Sequence, residues 1–122
     1  RYKTSFNPTQ KQINLIHTSN IEVEETDKIT VNYSSLLNAD DAIRDNTSLM
    51  LLNLLTKLAP AKVFVAGMDG YAVNNSNYYQ ERLTMKHDAE QAHRLNDAIS
   101  KRLEQLSNLL NIEFITPTLY MK

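Results

Sequence analysis

The order of elements along this sequence predicts an α/β domain built on a parallel sheet, and three observations lead there. Short apolar or alternating runs at 13–16, 29–33, 62–66 and 112–115 read as strands. Two longer periodic stretches, 46–58 and 88–110, read as helices placed between strands. The chain has two glycines, Gly67 and Gly70, and both fall just after the third strand. Strands alternating with helices imply βαβ units, parallel pairing and right-handed crossovers. The expected architecture is Rossmann-like: a three-layer parallel sheet of about four strands with helices on its faces. One domain over residues 1–122 is expected, since 122 residues leave no room for two cores.

The first strand, Ile13 to Ile16, ends in His17-Thr18-Ser19-Asn20. After the acidic stretch Glu22 to Asp27 comes Ile29-Thr30-Val31-Asn32-Tyr33, whose alternation and β-branching suit a strand. Ser34 to Arg44 is polar, with a short helical turn expected around Ala39 to Ile43. Asp45 or Asn46 can cap the first helix. Leu49, Met50, Leu51, Leu52, Leu54, Leu55 and Leu58 cover most of its circumference, which predicts a helix buried nearly all round. Its amides are expected to point to the sheet edge opposite the strand ends, unless the cap folds over the crevice. Ala59-Pro60 stops it, and the unbroken run Val63-Phe64-Val65-Ala66 predicts a central strand covered on both faces. Residues 67 to 86 carry no period, a length of loop that is often functional. Asp88 can cap the second helix, with the apolar stripe Ala92, Leu95, Ile99, Leu103, Leu106 and Leu110. Asn111 closes it before the last strand, Ile112 to Ile115.

Composition excludes several function classes. Thirteen basic residues balance fourteen acidic ones, so neither a nucleic acid nor an anionic membrane is an expected partner. The absence of cysteine excludes disulfide frameworks, thiol catalysis and zinc ribbons. No apolar run approaches the ~20 residues of a membrane span, and no signal-peptide pattern opens the chain. A cytoplasmic location is expected. The start at Arg1-Tyr2-Lys3, without an initiator Met, points to a piece of a longer polypeptide. Two glycines cannot supply a phosphate loop or a dinucleotide fingerprint. No cofactor and no metal are expected: the histidines His17, His87 and His93 stand apart, with no His-x-His.

In open parallel sheets ligands bind beyond the carboxyl ends of the strands. Those ends offer Asn32, Ser34, Gly67, Asp69, Gly70 and Tyr71, with Thr116-Pro117-Thr118 after the last strand. A chain this poor in glycine that places both in Gly67-Met68-Asp69-Gly70 needs an unusual backbone there. Asp69 is the best single candidate, because its carboxylate could accept from a ribose hydroxyl or an amine. The competing reading has Asp69 bonding local amides in a turn. Tyr71, Tyr78 and Tyr79 could form a lid over a ligand, or only pack on the core. His87 precedes the second helix, where it could act as an acid or base, and His93 lies six residues on, near the polar edge of that helix; for each histidine a purely structural role is the commoner reading.

The segment Asn46-Thr47-Ser48, followed by Lys62-Val63-Phe64-Val65-Ala66-Gly67-Met68-Asp69-Gly70-Tyr71, resembles the bacterial sialyltransferases that use CMP-sialic acid. The resemblance covers roughly residues 44 to 120. It implies that Thr47 and Ser48 lie near a nucleotide and that Gly67 and Asp69 contact it at the strand end. It also implies that Tyr71 and Tyr78 or Tyr79 stand near a phosphate, and that His87 or His93 is the base. That family's glycine-containing loop after the first strand is absent. Asn32-Tyr33-Ser34-Ser35-Leu36-Leu37-Asn38 with Asp45-Asn46-Thr47-Ser48-Leu49-Met50-Leu51-Leu52 resembles a second group more closely. These are C-terminal regions of aldolases related to 4-hydroxy-2-oxovalerate aldolase and HMG-CoA lyase. That resemblance implies an N-terminal aldolase barrel in the same polypeptide, which holds the metal and the catalytic residues. The expected function is then a non-catalytic accessory domain that binds a nucleotide or nucleotide-sugar or docks the barrel, and the alternative is part of a nucleotide-sugar-dependent transferase.

Overall fold

The computed structural model describes residues 15–24, 28–71 and 89–121. The molecule is mixed α/β and divides into two compact units, Arg1–Ser35 and Leu36–Lys122.

In the first unit β1 (Leu15–Thr18) and β2 (Lys28–Val31) pair in parallel, with Leu15 opposite Lys28 and Thr18 opposite Val31. Both strands lie within two residues of the sequence expectation. His17 spans them: its Nε2 lies 2.8 Å from the Thr30 hydroxyl, and Nδ1 lies 3.1 Å from the Ile21 carbonyl. The chain then enters a 3-10 turn at Tyr33–Leu36, where the sequence predicts the end of a strand at Tyr33 and a polar segment from Ser34.

The second unit begins with a 3-10 turn at Asp41–Ile43, where a short turn was expected, capped by the Asp40 side chain. Helix α1 spans Thr47–Leu58, and the Asn46 side chain accepts the Leu49 amide at its start. Its last turn closes on Ala59, whose φ of 48° places a non-glycine residue in the left-handed region. Strand β3 (Val63–Val65), helix α2 (Ala89–Ser107) and strand β4 (Ile112–Phe114) follow. β3 and β4 pair in parallel, Val63 opposite Ile112 and Val65 opposite Phe114. α2 is therefore the crossover of a β-α-β unit. The caps expected at Asp88 lie outside the described residues.

The strands form two separate two-stranded parallel sheets, β1–β2 and β3–β4, where the sequence led us to expect one ladder. The core of the second unit gathers Leu49 and Leu52 of α1, Val63 and Val65 of β3, Ile99, Leu103 and Leu106 of α2, and Tyr120. The predicted α2 stripe is the buried face, while Glu90, Arg94, Asp97, Lys101 and Glu104 are exposed. Two expectations are corrected. α1 is not apolar-buried all round, because Leu51 and Leu58 are 56% and 59% exposed. β3 is not covered on both faces: Phe64 is 60% exposed while Val63 and Val65 are buried. Side chains alternate along a strand, and only the Val63 and Val65 side meets the helices.

A polar hub underpins the turn before α1. Asn53 donates to the Leu36 carbonyl at 2.8 Å and to Asn38 Oδ1 at 3.1 Å, and accepts from Arg102 at 2.7 Å. Asn38 donates in turn to the Ile43 carbonyl. Both asparagines are buried, so these bonds satisfy amides that would otherwise be desolvated without compensation.

Candidate functional site

A cleft of about 510 Å³ opens in the second unit between the start of α1 and the loop that leaves β3. One wall is Asp45, Asn46, Thr47 and Ser48; the other is Gly67 to Tyr71. Leu95 of α2 and Tyr120 beyond β4 complete the lining. The volume suits one sugar or nucleoside-sized group.

The position of α1 follows the second of the two expected courses: its first turn lies at the crevice and not at the opposite edge. Only four residues separate α1 from β3, so the helix must run back antiparallel to the strand that follows. Twelve helical residues rise about 18 Å, enough to return its first turn to the carboxyl end of β3. The Asn46 cap uses the Leu49 amide. The Thr47 and Ser48 amides have no partner among the described residues, and they lie at the positive end of the helix dipole.

The loop after β3 is held at four points. Thr116 Oγ1 accepts the Gly67 amide at 2.9 Å, and the Asp69 carbonyl accepts the Leu119 amide at 2.8 Å. Asn96 of α2 closes both ends of one peptide pair: Oδ1 accepts the Tyr71 amide at 2.9 Å and Nδ2 donates to the Tyr71 carbonyl at 2.8 Å. Gly67 and Gly70 take φ of 74° and 109°, which L side chains rarely adopt. The unusual backbone expected from the glycine spacing is present. Leu119 packs so close to Gly70 that an added Cβ would lie 2.8 Å from the Leu119 Cβ.

This scaffold leaves the Asp69 carboxylate exposed in the cleft, with no hydrogen-bond partner among the described residues. Among the described residues no backbone amide donates to the Asp69 carboxylate. The Asp45 carboxylate is likewise exposed on the cleft wall. Among the described lining residues there is no lysine, arginine or histidine.

Six of the sequence-predicted residues therefore share this cleft: Thr47, Ser48, Gly67, Asp69, Gly70 and Tyr71. Asn32 and Ser34 belong to the first unit, where Asn32 Oδ1 accepts the Ser34 amide at 3.0 Å and serves the local turn. Tyr78, Tyr79 and His87 lie outside the described residues. His93 is exposed on α2 and does not line the cleft. Sequence reasoning missed Asp45 as a lining carboxylate, and it missed Asn96 and Tyr120. Asn96 had a signal: a polar residue adjoining Leu95, near the apolar stripe of α2. Tyr120, beyond the last strand, had none. Among the described residues no group of three or more acidic, histidine or cysteine side chains could hold a metal ion. No described helix is long and apolar enough to cross a membrane.

No protein-family model, curated protein or solved structure matches this chain.

Proposed function

We propose that this chain is a non-catalytic accessory module of an aldolase polypeptide, and that its second unit binds a nucleotide-sugar-like ligand. The proposal takes α1, β3, α2 and β4 as part of a Rossmann-like three-layer sheet, with the ligand at the carboxyl ends of the strands. The observation that carries it is the exposed Asp69, set between two positive-φ glycines, with no partner for its carboxylate among the described residues, in a cleft that the first turn of α1 also lines. A carboxylate kept exposed by this much fixed backbone is preorganised to accept hydroxyl hydrogens. Catalysis is assigned to the barrel that the aldolase resemblance implies. Polarising a keto acid in the metal-dependent aldolases needs a bound divalent ion, and the lining residues here are Asp45, Asp69 and neutral groups.

Calorimetric titration of the 122-residue chain with CMP, UDP and their sugars tests the reading. Saturable binding that Asp69→Asn weakens at least tenfold is expected. No heat beyond dilution with any of these ligands at millimolar concentration removes it. Metal-dependent release of pyruvate by the chain, abolished by Asp69→Asn, would replace it with a catalytic reading.

A further inference from the structure

The charges around the cleft say which part of such a ligand enters. Its walls carry two exposed acidic residues, Asp45 and Asp69, and no cationic side chain lines it among the described residues. Among the described residues Arg94, beside Leu95 on α2, is exposed and does not line the cleft, and three other cations have partners. Arg44 bonds Asp41, Lys62 bonds Glu113, and Arg102 bonds Asn53 and Gln105. A phosphate in the cleft would gain the Thr47 and Ser48 hydroxyls and the first turn of α1, equivalent to roughly half a positive charge, against two negative charges. Repulsion wins. A neutral ring with neighbouring hydroxyls meets the opposite balance. Its hydroxyls donate to the Asp69 and Asp45 carboxylates as charge-assisted bonds. Its ring and carbonyl oxygens accept from the Thr47 and Ser48 amides and hydroxyls, and Leu95, Tyr71 and Tyr120 offer the apolar wall.

We propose that this cleft recognises an uncharged vicinal diol, on a sugar or on the ribose of a nucleoside, and turns phosphate away to solvent. The proposal rests on the binding role proposed above and supplies its ligand chemistry. It departs from the phosphate contact that the sialyltransferase resemblance implies for Tyr71.

The test is calorimetric titration of the 122-residue chain with uridine, glucose and UDP at low and high salt. Uridine or glucose binds with little salt dependence, and which of the two binds tells ribose from free sugar. UDP binds at least threefold more weakly than uridine at low salt, and the gap narrows as salt screens the carboxylates. In the double variant Asp45→Asn/Asp69→Asn, binding of the neutral ligand falls at least tenfold and the penalty on UDP disappears. Both positions are exposed, so the variant retains its fold, which far-ultraviolet circular dichroism verifies. Binding of UDP as tight as or tighter than uridine overturns this inference and leaves the nucleotide-binding role standing. Absence of binding by all three, and by the nucleotide sugars, removes that role and this inference together.

Discussion

Asn96 and Tyr71, twenty-five positions apart, are joined by two hydrogen bonds that imitate a β-bridge: the side-chain amide of one closes on the peptide groups of the other. The bond pair ties the loop after β3 to the middle of α2. Together with the Gly67–Thr116 and Leu119–Asp69 bonds it sets the backbone on both sides of Asp69. The cleft's carboxylate is therefore positioned by long-range contacts rather than by its own turn.

Replacing Asn96 tests that dependence. Asn96→Ala removes both bonds and leaves a half-buried peptide group to water, at a cost of about 1–3 kcal/mol. Asn96→Asp keeps only the acceptor and recovers part of that loss. Urea denaturation of the three proteins gives the order wild type, Asn96→Asp, Asn96→Ala. An Asn96→Ala protein as stable as wild type shows that the loop holds itself.

The two glycines separate backbone strain from steric conflict. At Gly67 an added Cβ meets nothing within 4 Å, so Gly67→Ala carries only the left-handed backbone cost of about 1 kcal/mol. At Gly70 the same methyl runs into Leu119, with contacts of 2.8 to 3.2 Å, so Gly70→Ala adds a packing conflict to the strain. It is expected to cost about 2–4 kcal/mol in all. Equal midpoints for the two variants would show that Leu119 moves aside freely.

How far the sequence could be read follows from the range of each interaction. The α2 stripe is legible because helical periodicity is local, and Ile99, Leu103 and Leu106 are buried as the period requires. The glycine pair is legible because its conformation belongs to single residues. Strand partnership is not local. Nothing in Leu15–Thr18 or Val63–Val65 says which ladder each joins, and the four strands divide into two pairs. The run Val63-Phe64-Val65-Ala66 misled for a related reason, since an apolar run does not say whether its second face is covered. The direction of α1 was recoverable in principle from the short link to β3, and with it the placing of Thr47 and Ser48 beside Asp69.

Asn53 supports the segment that delivers Asp45 and Asn46 to the cleft. Asn53→Leu removes its bonds to the Leu36 carbonyl, Asn38 and Arg102, stranding three polar partners in and around the core. A loss of about 2–4 kcal/mol is expected, since each buried group left unsatisfied costs about 1–3 kcal/mol and neighbours share the burden. Arg102→Met in the same background should cost less than it does alone, because the shared bond is already gone. Additive losses would show that the two residues do not work as one network.

The C-cap of α1 offers a stabilising change. Ala59 sits at φ 48°, and its amide returns to the Leu55 carbonyl. Glycine takes that conformation without a Cβ penalty. Ala59→Gly is expected to raise the unfolding free energy by about 0.5–1 kcal/mol, read as a higher urea midpoint at constant slope. A lower midpoint would mean that the unfolded chain's gain in freedom outweighs the relief.

The alternation along β3 yields the last contrast. Val65 is buried against the helices, so Val65→Thr places a hydroxyl in the core at a cost of about 1–3 kcal/mol. Phe64 points the other way, beside Glu113 on β4 and 4.9 Å from the Lys62 ammonium that lies over its ring. Threonine suits a strand, and the cation–ring contact at an exposed site is worth about 0.5–1 kcal/mol. Phe64→Thr in the isolated chain is therefore expected to shift stability by less than about 1 kcal/mol, well below Val65→Thr. The two variants differ by one position and exchange rank if β3 is flipped. A larger loss at Phe64 would mean that its face of the β3–β4 pair is covered in solution.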